Sequence, residues 1–147
     1  MNKLQTILIM SILMIFTSPM INASWVDIKI EKIIKDNPLI IIGKIEKIST
    51  TKASKGEIDI AYIKISELLK NKLKNKKIKI GDKIPLSMPG KKKKLSFGTD
   101  IRYKKDQEGI WILEFKNNVY WATYPKDFQP LKEKKKIIKI IKSQKTK

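Results

Sequence analysis

Histidine and cysteine are both missing from this 147-residue chain, and that narrows the chemistry open to it. Zinc and copper lose their usual ligands, acid–base catalysis loses its commonest group, and thiolate nucleophiles are excluded. Serine, threonine, lysine, tyrosine and 14 carboxylates remain. One spacing among them matches a catalytic pattern: Ser49-Thr50-Thr51-Lys52 has the Ser-x-x-Lys interval of penicillin-binding enzymes. Here it falls in an expected strand-ending turn rather than at a helix start, and neither partner motif accompanies it. No Gly-rich phosphate loop and no carboxylate run of calcium-loop spacing is present. The expectation is a protein without catalysis, with no catalytic residues, no metal and no cofactor.

Binding chemistry is better represented. The formal charge is +19, from 33 basic residues, of which only Arg102 is arginine. Such a surface attracts phosphates, anionic lipid and acidic polysaccharide. Lysine and isoleucine (28 positions) are also what an AT-rich coding sequence writes wherever "charged" or "apolar" suffices, so the charge has a compositional explanation beside a ligand-binding one. Between Lys70 and Lys94 eleven lysines face one acid, Asp82. They are either a polyanion patch, within which Lys91, Lys92, Lys93 and Lys94 form a basic loop, or a set of solvated edges. Arg102 carries the planar fork that grips carboxylate or phosphate, unless it is spent on Asp100, Asp106 or Glu108. Tyr103, Trp121 and Tyr124 are candidates for a stacking platform, the alternative being core and cross-strand packing.

The N-terminal residues have the form of an export signal. Met1-Asn2-Lys3 supplies one charge, Leu4 to Phe16 is almost wholly apolar, and Ile21-Asn22-Ala23 offers a small residue for cleavage before Ser24. The apolar run is shorter than the roughly 20 residues that span a bilayer. The expected segments are a signal peptide over 1–23, one domain over 24–130, and a basic amphipathic helix and tail over 131–147. The expected location is secreted or periplasmic. Nucleic acid is then not an expected partner, and a monomer is expected.

Elements follow from periodicity. Ser24-Trp25-Val26-Asp27 fits a capping box, and Val26, Ile30, Ile33 and Ile34 recur at helical spacing, predicting a helix over Asp27–Lys35. Pro38 ends it. Leu39–Ile48 reads as a strand with a bend at Gly43. Thr50–Gly56 is a polar turn, and Ile58–Ile65 a second strand that Ser66–Lys74 either extends or leaves as a helical turn. Lys77–Leu86 reads as a further strand or hairpin turning at Gly81-Asp82, with Pro85 at an edge. Ile110–Phe115 and Val119–Tyr124 form a hairpin around Asn117-Asn118. In it, Trp111, Leu113 and Phe115 share one face, and Tyr120, Ala122 and Tyr124 another. Pro125–Pro130 terminates the sheet. Leu131–Lys142 is an amphipathic helix, whose isoleucine face either docks on the sheet or lies on a membrane surface.

Five strands with a bent first one predict a mainly β fold, a five-stranded OB-like barrel with a short N-terminal helix and a C-terminal amphipathic helix. Pro38-Leu-Ile-Ile-Ile-Gly-Lys-Ile45, Ala61-Tyr-Ile-Lys-Ile-Ser-Glu-Leu-Leu-Lys70, Lys79-Ile-Gly-Asp-Lys-Ile84 and Gly109-Ile-Trp-Ile-Leu113 carry a resemblance. In this layout the chain resembles the netrin-like barrels, which include the tissue inhibitors of metalloproteinases and exported bacterial relatives. The resemblance implies an envelope binding module that meets an anionic envelope component or a protein partner, or alternatively a protein-directed inhibitor working through the barrel rim. The inhibitors' zinc-chelating N-terminal cysteine has no counterpart here.

Overall fold

The computed structural model describes residues 26–53, 56–74, 76–89 and 101–145. The expected signal peptide, the Ser24 cap and the Lys91–Lys94 loop lie outside these residues. The elements are helix α1 (Ile30–Asp36), strands β1 (Leu39–Ala53), β2 (Gly56–Asn71), β3 (Lys83–Pro89), β4 (Glu108–Lys116) and β5 (Val119–Trp121), a short β6 (Phe128–Gln129), and helix α2 (Lys134–Ser143). Single 3-10 turns at Pro125–Asp127 and Leu131–Glu133 flank β6.

The architecture is mainly β. Strand order is β1-β2-β3-β5-β4-β6, and an additional β1–β4 pairing closes the first five strands into a ring. All neighbours in it are antiparallel except β3 and β5. Strand β1 holds the ring together, because Leu39–Lys44 pairs with β4 on one edge while the whole strand pairs with β2 on the other. Serving two partners at different angles requires a bend. The β1–β2 register slips at Ile40/Ile41, Ile42/Gly43 and Ile45/Lys47, as bulges do where a strand must turn.

Among the described residues, Gly43 is one of two glycines with no room for a side chain. A Cβ there would sit 2.6 Å from the Lys64 carbonyl oxygen and 2.7 Å from Ile63 Cγ2. Its register partner in β4 is Gly109, where a Cβ would lie 2.5 Å from the Phe128 ring. The irregularity expected at Gly43 is present as the Ile42/Gly43 register slip, at a point where β2 approaches too closely for a side chain. The Trp111 indole N–H donates to the Gly43 carbonyl over 2.8 Å, fastening the bent segment from inside. Trp111 is wholly buried, edge-on to Tyr103 at 4.9 Å and against Phe128 at 4.6 Å.

The run Leu39-Ile40-Ile41-Ile42 does not alternate with polar residues because both faces of the β1–β4 pair are covered. Leu39, Ile41, Ile45, Ile63, Ile65, Leu86, Trp111, Leu113 and Tyr120 fill the ring. Ile40, Ile42, Ile110 and Ile112 point outward, onto Ile33 and Ile34 of α1 and Ile137 and Ile141 of α2. Each of these isoleucines contributes roughly 1.5–3 kcal/mol by leaving water. The isoleucine face of the C-terminal helix thus docks on the sheet, and Lys135, Lys136, Lys139 and Lys142 remain exposed.

Several expectations are corrected. Helix α1 starts at Ile30 rather than Asp27, because Val26 and Ile28 spend backbone groups elsewhere. The Tyr124 hydroxyl donates to the Val26 carbonyl and accepts from Ile28 N–H, and Lys126 Nζ donates to the Ile28 carbonyl. Val26 is 77% exposed and off the apolar face. Strands β1 and β2 continue to Ala53 and from Gly56, consuming most of the expected Thr50–Gly56 turn; Ser66–Asn71 extends β2. Lys77–Ile80 is not a strand, since the backbone there turns back on β2 through Gly81 N–H to the Ile65 carbonyl. Pro125–Pro130 contains β6, which gives Phe128 its place over Gly109. Leu131 precedes α2 and is 44% exposed, not part of the docked face. The Asn117-Asn118 hairpin turn stands as expected, both residues at positive φ (52° and 61°), the geometry of a type I′ turn.

Gly43→Ala should lower unfolding free energy by about 3 kcal/mol, since the added methyl must displace β2 backbone rather than a side chain. Urea unfolding checks this; an unchanged midpoint would show that the close approach is not needed for closure.

Candidate functional site

Chain between β2 and β3 packs against the ring core and carries a run of exposed lysines. Strand β2 ends at Asn71, whose side-chain oxygen accepts Leu73 N–H, while Lys72 N–H reaches the Pro38 carbonyl. Leu73 and Ile78 turn inward onto the core, leaving Lys72, Lys74, Lys76, Lys77, Lys79 and Lys83 exposed. A tight turn then closes Lys79–Asp82. Asp82 Oδ2 accepts Lys79 N–H at 2.8 Å, Asp82 N–H returns to the Lys79 carbonyl, and Gly81 takes φ +92°. The one acid of this stretch is thus engaged in holding its turn.

Two adjoining open depressions follow this segment. One, of about 440 Å³, is lined by Lys76, Lys77, Ile78, Lys83, Pro85 and Tyr120 among others. The other, of about 630 Å³, shares Lys76, Lys77 and Ile78 and adds Leu73, Lys74 and Lys79. Lys76 Nζ lies 4.2 Å above the Phe115 ring and 5.8 Å from that of Tyr120, so the hairpin aromatics position one ammonium at the groove. Lys83 Nζ pairs with Glu46 at 2.7 Å. Point charges over a partly apolar floor can hold an anionic chain or surface, without the geometric selectivity of arginine forks.

Lys70 leaves this patch. Its side chain is 7% exposed, and its Nζ donates to the carbonyls of Ile34 (2.5 Å), Lys35 (3.2 Å) and Asn37 (2.6 Å). These are the carbonyls at the C-terminal end of α1, which a helix leaves unsatisfied and which carry its partial negative charge. Burial, reinforced by the nearby Lys72 charge, holds the Lys70 ammonium below the ordinary lysine value, with Asp36 opposing. Lys70 is a buried clamp between β2 and α1. Nothing in Leu-Leu-Lys-Asn-Lys distinguishes it from its solvated neighbours.

The other sequence candidates do not converge. Tyr103 is in the core, its hydroxyl donating to the Ala122 carbonyl at 3.2 Å, and burial with the nearby Asp127 charge pushes its phenol up. Tyr124 leaves the face of Tyr120 and Ala122 because β5 ends at Trp121; its ring packs on the outer core and its hydroxyl holds Val26 and Ile28. Trp121 is half-buried, its indole N–H toward the Lys116 carbonyl at 3.4 Å. Arg102 is exposed, next to buried Tyr103. Lys91, Lys92, Lys93 and Lys94 lie outside the described residues. Among the described residues, no three acidic side chains gather as a metal site.

Asp127 was not singled out from the sequence. It is 6% exposed, and its carboxylate accepts Tyr124 N–H at 2.8 Å, fixing the turn that presents Tyr124 and Lys126 to the N-terminal segment. Burial pushes its pKa up to about 6, against the lowering by the Tyr124 and Thr123 backbone bonds. No local pattern announces this, since an aspartate after Pro-Lys is ordinarily a solvated turn residue.

Lys70→Met should cost about 2–4 kcal/mol by orphaning three carbonyls, whereas Lys76→Gln should change stability by less than about 0.5 kcal/mol. Equal effects in urea unfolding would refute the clamp. For Asp127, the folded state binds a proton more tightly than the unfolded chain, so its contribution is full below about pH 4 and is lost as pH rises through about 6. Asp127→Asn should therefore gain on the parent by on the order of 2 kcal/mol between about pH 4 and about pH 7. A constant difference across that range in paired denaturation curves would contradict the assignment.

No protein-family model matches this chain, and no curated protein matches it.

Proposed function

We propose that this chain is an exported, non-catalytic binding module of the cell envelope that meets an anionic partner through the lysine surface between β2 and β3. The observation that carries the reading is the pair of adjoining open depressions lined by exposed Lys74, Lys76, Lys77, Lys79 and Lys83. There Asp82 is engaged in its own turn and, among the described residues, Lys83 alone of the five is paired with a carboxylate, that of Glu46. The apolar stretch of Leu4–Phe16 and the small residue at Ala23 support export, and the location proposed is periplasmic or secreted. The protein acts as a monomer.

The ring order supports an OB-like, netrin-like barrel: β1-β2-β3-β5-β4 returning to β1, β3 and β5 its parallel pair, a bent first strand and a short helix ahead of it. A second reading is a protein-directed inhibitor acting through the rim. It draws on the β4–β5 turn, where Asn117 and Asn118 stand exposed at positive φ beside half-buried Phe115.

Salt separates the two. Heparin, used as an acidic polymer probe, should bind the parent and lose about two orders of magnitude in affinity between about 50 mM and about 200 mM salt. Combined Lys76→Gln, Lys77→Gln and Lys79→Gln should flatten that slope. A partner recovered from the producing cell's envelope whose binding ignores both salt and these substitutions would overturn the anionic reading in favour of the rim.

A further inference from the structure

Ile80 stands out among the isoleucines of the described residues. It is 66% exposed, whereas Ile78, two residues earlier, packs against the ring core. It occupies the tip of the Lys79–Asp82 turn, which is fastened to β2 by two backbone bonds, Gly81 N–H to the Ile65 carbonyl (2.8 Å) and Ile65 N–H to the Asp82 carbonyl (2.9 Å). A third bond, from Lys79 N–H to the Asp82 carboxylate, braces it across the base. The backbone of the tip is thus held on β2 with the Ile80 side chain in solvent. Lys77, Lys79 and Lys83 surround it in sequence and are exposed, and Lys76 is held nearby over Phe115 and Tyr120.

A large apolar side chain on a hydrogen-bonded, lysine-flanked turn matches the two layers of an anionic bilayer surface. Ammonium groups meet the lipid headgroups while the apolar tip enters the boundary beneath them. A soluble acidic polymer would reward the lysines and leave the isoleucine in water. Helix α2, the other amphipathic element, cannot supply this contact while Ile137 and Ile141 are buried against β1 and β4.

We propose that the Lys79–Asp82 turn is a membrane-docking tip, with Ile80 inserted into an anionic lipid surface and the flanking lysines on its headgroups. This deepens the anionic reading above and rests on it. The test uses the protein as its producing cell releases it and reads residue 80 directly. Ile80→Trp should be quenched by brominated lipid in vesicles containing phosphatidylglycerol, above the background of the parent's three tryptophans, and far less in purely neutral vesicles. Ile80→Ser should weaken binding to the phosphatidylglycerol vesicles about tenfold and leave heparin binding unchanged. Circular dichroism establishes that both variants fold. Absence of extra quenching, or equal vesicle binding by parent and Ile80→Ser, would overturn the insertion even if heparin still binds. Failure of the parent to bind heparin and vesicles alike would remove the anionic reading itself.

Discussion

Closure of the ring depends on one steric allowance, the absence of side chains where β1, β2 and β4 come together. Gly43 and Gly109 face each other across the β1–β4 ladder, and at each a single methyl would collide with neighbouring atoms at 2.5–2.6 Å. Because Gly43 has no side chain, β2 backbone can press against it while β1 keeps both partners. Because Phe128 can lie over Gly109, β6 covers β4 beside it. The Trp111 indole fills the space beneath and donates to the buried Gly43 carbonyl. Packing and hydrogen bonding here are the same event, so loss of either opens the seam between the first and fourth strands.

That seam also organises what lies outside the ring. Its outward isoleucines, Ile40, Ile42, Ile110 and Ile112, give both helices their footing. Helix α1 arrives with its C-terminal carbonyls beside β2, and Lys70 answers them with a buried ammonium group. Asp127 has a parallel role at the opposite end of α1. It shapes the turn whose tyrosine and lysine hold the segment entering that helix. Two buried charges thus bracket one short helix. Each has its ordinary ionisation made harder by burial, and each is retained for the backbone groups it satisfies.

Lysine serves three purposes in this protein, distinguished by surroundings rather than residue type. Lys70 is a structural cation, Lys83 takes part in a surface ion pair with Glu46, and Lys76 to Lys79 line an open groove. An AT-rich composition accounts for the choice of lysine over arginine at all of them. It does not account for their gathering in one stretch, where the lone acid is bound to its own backbone turn.

Much of this architecture was legible in the residues. Period-two alternation separated Trp111 and Leu113 from Ile110 and Ile112 onto opposite faces, though only the fold shows which face is inside; Asn117-Asn118 marked the hairpin; Gly43 marked the bend; the 100° spacing of isoleucines marked the last helix. These signals are local, arising from side-chain direction and backbone freedom within a few residues. The positions that escaped reading owe their character to distant chain. Lys70 became a clamp because α1 ends over it, Tyr103 became core because Trp111 and Phe128 close around it, and Asp127 lost its water to the fold. Lys77–Ile80 alternates like a strand, yet became a turn because β2 offered Ile65 to Gly81 and Asp82. Residue order by itself determined a mainly β chain, its hairpin and its excess of positive charge. Only the tertiary structure decided which charges are buried and which reach solvent, because desolvation depends on what packs above a side chain, and that is supplied from far along the sequence.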